Sequence, residues 1–222
     1  PAEVVGFKKG RVLLMPLETN RGLSPGCRIL SVGKRATSGV GPGLLGRVID
    51  GLGKPIDDKG PITCSEQYPL YADHINPLQR GRIKEPVDLG VRAINGLFSC
   101  GRGQRMGVFA GSGVGKSVLM GMMAKNTDAQ VNVIGLIGER GREVREFLEK
   151  NLGEEGLQKS VIIVAASDMH PLIRTRAAYL ATAVAEYFRD QGQDVLLMID
   201  SLTRFAMALR EIGLSVGEPP TT

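Results

Sequence analysis

The sequence predicts an α/β protein built on a parallel sheet with helices on both faces, and three observations carry that reading. From residue 105 onward, short apolar runs alternate with stretches of helical periodicity. The runs Val131–Ile137, Val161–Ala166 and Val195–Ile199 are nearly continuous in apolar character, as strands covered on both faces must be. Between them, Ala177, Leu180, Ala181, Val184 and Phe188 recur at the spacing of one helix face. Crossovers between parallel strands are then right-handed.

Taken in order, the first ~35 residues read as β structure. Val4–Phe7 and Val12–Met15 flank Lys8-Lys9-Gly10, a hairpin signal. Turns follow at Arg21-Gly22 and Ser24-Pro25-Gly26, and Arg28–Val32 is a further strand candidate. Two strands are marginal alone, so this stretch reads as part of a domain whose beginning is missing. Residues 34–104 are rich in Gly and Pro and read as turns and loops, with Glu66–Pro86 running over a surface. Arg105–Ala110 is a strand candidate and Lys116–Asn126 a helix. Val144, Phe147, Leu148 and Leu152 give a helix over Arg142–Leu152, its outer face laced by the pairs Arg142/Glu146, Arg145/Glu149 and Glu146/Lys150. Thr203–Ile212 is the last helix.

Composition removes several classes. The charge is +5, from 28 basic and 23 acidic residues, but the basic residues are scattered and several pair with acids. Aromatics are 5% and Trp is absent, so stacking platforms for single-stranded nucleic acid are scarce; no nucleic-acid partner is expected. No apolar run approaches the ~20 residues needed to span a bilayer, and the N-terminus does not read as a signal peptide. Cys27, Cys64 and Cys100 are odd in number and far apart, which reads as three reduced thiols rather than a disulfide framework or a zinc site. His74 and His170 have no triad partners at suitable spacing and read as surface or capping residues.

The strongest motif is Ala110-Gly111-Ser112-Gly113-Val114-Gly115-Lys116-Ser117. It matches a Walker A loop with Ala in place of Gly at its first position. Glycines let the backbone curl so that successive N–H groups converge on phosphate oxygens, and the following helix adds its positive end. Gly111 through Ser117, with Val118 in the first turn, form the expected nucleotide cradle. Lys116 places a compact charge on the β- and γ-phosphates, and Ser117 offers a hydroxyl to Mg²⁺. Asp200 closes the strand Val195–Ile199 and fits the Walker B acid that holds a Mg²⁺-bound water. The bland alternative is a helix cap, a task open to Ser201. Glu139 follows Val131–Gly138 and reaches the same crevice, because parallel strands deliver their carboxyl ends together. Its expected role is to orient or deprotonate the attacking water, with Arg140 touching the γ-phosphate. A surface Glu–Arg pair is the alternative. Arg174, Arg176 and Arg204 also follow strand ends, where each can face phosphate, a neighbouring subunit or only the fold.

Together these residues resemble the type III export ATPases, the flagellar and virulence-secretion relatives of the rotary ATPase catalytic subunits. The likeness is carried by Gly101–Gly107, Ala110–Ser117, Gly135–Val144, Leu196–Gly213 and Gly217–Pro220, and extends to Gly43–Asp57 and Ala2–Leu17, so nearly the whole chain takes part. The resemblance implies an RecA-like P-loop ATPase domain over residues 37–222, behind a portion of a small β-barrel over 1–36. It implies ATP and Mg²⁺ as ligands, Lys116 and Ser117 as the phosphate and metal residues, Glu139 as the catalytic carboxylate, Arg140 as a phosphate contact and Asp200 as the Walker B acid. It also implies a homohexameric ring, stalk and regulator proteins and chaperone–cargo complexes as partners, and a cytoplasmic location peripheral to the inner membrane. The chain is expected to start inside the barrel and to end before the arginine finger, so that alone it would hydrolyse ATP poorly.

Three rival readings remain. A catalytic subunit of an F- or V-type rotary ATPase is close, but Ser201–Arg204 and Gly101–Arg105 favour the export branch. A non-catalytic ring subunit typically has Gln where Glu139 stands. An RNA translocase needs an N-terminal domain with exposed aromatics, which is not visible here.

Overall fold

The computed structural model of the protein describes residues 1–18, 22–24, 26–111 and 113–220. Arg21 and Pro25 of the two expected turns, and Ser112 of the glycine-rich loop, lie outside the described residues. The central element is a four-stranded sheet in the order β4–β7–β6–β8, formed by Arg47–Asp50, Ser160–Ala165, Val131–Ile137 and Val195–Asp200. Every neighbouring pair is parallel; Val133 of β6 lies opposite Val161 on one side and Leu197 on the other. The parallel α/β expectation therefore holds.

Helices cover both faces. Val131, Val133 and Ile137 of β6 join Val161 and Ile163 of β7 in one buried cluster with α5 (Pro171–Asp190). Gly135 lets that helix come close: a Cβ there would lie 3.3 Å from the Ala181 Cβ. Ile134, Leu136, Ile162 and Val164 point the other way, onto α2 (Lys116–Asn126), α3 (Gly141–Glu146) and the turns that follow. Each fully buried Val, Leu or Ile stabilises by roughly 1.5–3 kcal/mol, so this double-sided cover is the main reason the strands hold together. α5 begins with Pro171 at its first position and the His170 side chain accepting from the Leu172 N–H at 3.3 Å, the capping role read from the sequence.

The helix expected over Arg142–Leu152 is not uniform. It runs as α3, a π-helical turn over Phe147–Leu152, and α4 (Gly153–Gln158). The wide turn brings Asn151 against Gly121 of α2, where a Cβ would sit 2.6 Å from the Asn151 carbonyl oxygen. Of the three expected surface pairs, Arg145–Glu149 and Lys150–Glu146 form, at 2.7 and 2.9 Å. The last helix, α6, spans Leu202–Val216.

Four differences from the sequence reading stand out in the first half. The hairpin forms as expected, β1 (Ala2–Lys8) against β2 (Arg11–Pro16), with Lys9 and Gly10 both at positive φ as a tight hairpin turn requires. It docks on α5 through an ion pair between Glu3 and Arg176, both largely buried. However, Arg28–Val32 forms no strand, and its apolar side chains are exposed. Arg105–Ala110 forms none either: it joins no sheet, and Phe109 is 98% exposed. An apolar stretch becomes a strand only beside a partner that completes its hydrogen bonds, and neither segment has one among the described residues. Conversely, β3 (Thr37–Val40) pairs antiparallel with β5 (Glu66–Pro69), and β4 joins the central sheet, where turns and loops were expected. Gly53 and Gly60, at φ 81° and 78°, do turn the chain as expected, whereas Gly41 and Gly43 serve close approach. A Cβ at Gly41 would meet the Ser65 backbone N at 2.9 Å, and one at Gly43 the Thr63 carbonyl oxygen at 2.7 Å.

Candidate active site

A parallel sheet brings the carboxyl ends of its strands to one edge. Here β6 delivers Gly138-Glu139 and β8 delivers Asp200, and α2 begins beside them at Lys116. Gly113 (φ 78°) and Gly115 (φ 94°) enter that helix in the left-handed region. A Cβ at either would meet nothing within 4 Å, so the need for glycine is conformational and not a matter of space. Among the described residues no side chain caps α2 and no acid lies in its first turn, so no capping acid meets the positive end of the helix. Among the described residues, no backbone carbonyl outside a helix or strand accepts from the N–H groups of Gly113 or Val114. Val114 and Val118 are exposed, at 67% and 53%, and Ser117 is exposed at the second helical position.

Lys116 Nζ forms an ion pair with Asp200 Oδ1. Asp200 is only 4% exposed, and Lys116 is its one ion-pair partner among the described residues. The capping alternative for Asp200 falls away, because Ser201 does that work: its Oγ accepts from the Arg204 N–H at 3.3 Å and starts α6.

Glu139 follows Gly138, whose φ of 74° turns the chain out of the strand. The Gly138 N–H donates to the Ala165 carbonyl at 2.6 Å, and the Ser167 N–H donates to the Glu139 carbonyl at 3.0 Å, so both flanks are tied to the end of β7. The Glu139 carboxyl is pushed up to about 7. Burial is the first cause, a hydrogen bond with Glu143 the second and the negative charge of Asp200 the third, while Lys116 and Arg204 pull the other way. Glu143 is lowered as the accepting partner. Arg140 caps α3 by position and donates from Nη1 to Glu143 Oε1 at 3.1 Å.

The structure thus gathers Lys116, Ser117, Glu139 and Asp200 at one edge and keeps two of the three later arginines, Arg174 and Arg176, away from it. Arg174 is held by Glu211 and the Met169 carbonyl, and Arg176 by Glu3; neither is free for a ligand. Arg204 belongs to the site: its stem lies over Gly138 and its charge acts on Glu139. Glu143 was not singled out from the sequence. Its position four residues after Glu139, in the first turn of a helix, was the available signal.

The donor set fits a nucleoside triphosphate with a divalent cation. The uncapped helix end, the left-handed glycines and Lys116 offer positive charge and N–H donors to phosphate. Ser117 and Asp200 offer oxygen to a cation. Among the described residues no group of three or more His, Cys, Asp or Glu side chains can hold a metal by itself. A cation here would draw its remaining ligands from phosphate and water, which is the usual habit of Mg²⁺. Among the described residues no helix is long and apolar enough to cross a membrane, and Cys27, Cys64 and Cys100 are free thiols.

Comparison with known proteins agrees with this geometry. The model of the ATP synthase alpha/beta family, nucleotide-binding domain, matches residues 90–222. The chain is 56% identical over 220 residues to a type 3 secretion system ATPase of Xanthomonas euvesicatoria, covering 99% of this chain and 50% of that protein. It is 52% identical over 221 residues to a flagellum-specific ATP synthase of Pseudomonas aeruginosa, covering 100% of this chain and 49% of that one. Among solved structures it is similar to the assembled ATPase EscN in complex with its central stalk EscO, from enteropathogenic E. coli. The TM-score is 0.90 at 48% identity, over 99% of this chain and 54% of EscN. The chain spans about half the length of the curated relatives it matches. Its fold is the parallel α/β core that the alternating elements predicted and the RecA-like domain that the resemblance implied, and the chain belongs to the ATP synthase alpha/beta family, in its nucleotide-binding domain.

Proposed function

We propose that this chain carries the Mg-ATP site of an ATPase that energises protein export through a flagellar or virulence type III secretion apparatus. One observation carries the reading: the lysine at the uncapped start of α2 is held against the buried Asp200, with the half-buried Glu139 beside them. In this reading Gly111–Ser117 and Val118 surround the phosphates, Ser112 completing the loop. Lys116 leaves Asp200 and takes the β- and γ-phosphates as its counterions. Ser117 and Asp200 hold Mg²⁺, which when bound neutralises charge on the transferring phosphoryl group. Glu139 orients the attacking water and accepts its proton, and Arg140 contacts the γ-phosphate.

The division into a β-barrel portion over 1–36 and a RecA-like domain over 37–222 is part of the same proposal. It is supported by β4, whose residues Arg47–Asp50 lie in the central sheet, and by the separate two-stranded β1–β2 sheet. The named relatives support the export role, and the EscN–EscO complex supports assembly with copies of itself and with a stalk protein. From the family resemblance of the sequence we also propose a homohexameric ring as the working unit, meeting regulators and chaperone–cargo complexes at the cytoplasmic face of the inner membrane. The test is a titration of ATP and ADP against the wild-type protein and Lys116→Ala. The variant is expected to lose most of its affinity; equal affinity would sink the assignment.

A further inference from the structure

Lys116 and Asp200 are each other's counterion. Among the described residues the Asp200 carboxylate has that lysine as its one ion-pair partner and its one hydrogen-bond donor, and the Lys116 ammonium has only that carboxylate. The two halves are not equally free. Asp200 is the last residue of β8, in register with Leu136 of β6, and it is buried. Lys116 is the first residue of α2, on a flexible four-carbon stem, and 28% of its side chain is exposed. The lysine is therefore the half that can leave. It also stands where a helix least favours a cation, at the positive end of α2, with no acid in the first turn. Asp200 offsets that cost from the neighbouring strand.

We infer that this ion pair is a latch: it makes a nucleotide phosphate and its cation bind together, and each bind poorly alone. The inference deepens the nucleotide reading and rests on the roles proposed there for the two residues. A phosphate arriving without metal has two courses, both unfavourable. It can leave the pair intact and do without Lys116. Or it can draw Lys116 away and leave the Asp200 carboxylate buried, without a counterion, near a second negative charge. A cation arriving alone meets the mirror problem, since Lys116 loses its anion at the positive end of a helix. When both arrive, Lys116 moves to phosphate and Asp200 to the cation, and no charge is left unpaired. A merely structural ion pair, the plain alternative, would tie α2 to β8 and set no such condition on the ligands.

The experiment uses the full-length protein and reads binding rather than turnover. ADP affinity is measured by calorimetry, in EDTA and in Mg²⁺, for wild type, Asp200→Asn, Lys116→Ala and the double variant Asp200→Asn/Lys116→Ala. In EDTA, Asp200→Asn releases Lys116 to the phosphate, so it should bind ADP more tightly than wild type, by roughly 5- to 150-fold, the usual range of coupling between two sites. That gain should vanish in the Lys116→Ala background. Removal of a negative charge without a latch would instead give the same gain in both backgrounds. A second measurement does not depend on Lys116→Ala folding: labelling with an amine-reactive reagent in EDTA without nucleotide, read by mass spectrometry. Lys116 should react more slowly in wild type than in Asp200→Asn. ADP binding in EDTA no tighter in Asp200→Asn than in wild type, an equal gain in both backgrounds, or equal labelling of Lys116 would each overturn the inference. Failure of the nucleotide reading itself would appear separately, as an unchanged affinity for ADP with Mg²⁺ in Lys116→Ala.

Discussion

Gly138→Ala should destabilise the protein and slow it together, because one atom added there meets α6 and sits next to Glu139. The residue has φ 74°, and a Cβ would lie 2.7 Å from the Arg204 Cβ, 3.1 Å from its Cγ and 3.4 Å from its Cδ. Left-handed backbone costs an L-residue roughly 1–2 kcal/mol. The clash adds roughly 1–3 kcal/mol, since overpacking of this kind forces a backbone shift. The nearest atom is a Cβ anchored to the helix backbone, so Arg204 cannot swing away and α6 itself must move. The total is about 2–5 kcal/mol, against a stability on the order of 5–15 kcal/mol, so the variant still folds. Gly192→Ala is the matched control: φ is 80° there but nothing lies within 4 Å, so only the conformational cost applies. Urea unfolding of both variants beside wild type reads the difference, and ATPase rates of the same preparations read the displacement of Glu139. If Gly138→Ala costs no more than Gly192→Ala and turns over at the wild-type rate, the close packing of Arg204 over Gly138 has no energetic content.

Glu139→Gln in the full-length protein should keep ATP affinity and lose most of kcat, since the carboxyl lies beside the cradle rather than in it; binding by titration and rates by phosphate release separate the two, and retained turnover would show a different base. Asp57 gives a stability-versus-pH prediction. The Arg47 guanidinium holds its carboxyl well below the usual range, helped by the Val48 and Lys59 N–H groups, and the pair is largely buried. A lowered folded-state value means stability that is present above the unfolded carboxyl's value of ~3.9 and lost as pH falls below it. Asp57→Asn should therefore cost about 1–3 kcal/mol at neutral pH and flatten the acid unfolding curve below about pH 4. Urea midpoints at neutral and acid pH check both, and parallel curves for variant and wild type would refute it.

How much was legible in the sequence follows from how local each signal is. The strands β6, β7 and β8 and the helix α5 were readable because each buries its own apolar residues on a long, regular pattern. The Lys116 loop was readable because its glycines and its helix start are fixed within a few neighbouring residues. Glu139 and Asp200 were readable as strand-end acids, since a parallel sheet sends its carboxyl ends to one edge. The short strands β3, β4 and β5 were not, because four residues among glycines and prolines show no period; only their partners across the chain define them. Arg105–Ala110 and Arg28–Val32 failed for the reverse reason, having strand composition without a neighbour to bond among the described residues.

The sequence alone determined the fold class, the glycine-rich loop before α2 and the acids that close the strands, because those depend on residue type and spacing along the chain. Tertiary structure alone decided what each charge meets. It set Arg174 on Glu211 and Arg176 on Glu3, left Arg204 over Gly138, and tied Arg140 to Glu143. The physical reason is that the electrostatic role of a side chain is fixed by burial and by partners from other elements, and those distances exist only once the sheet has brought the elements together.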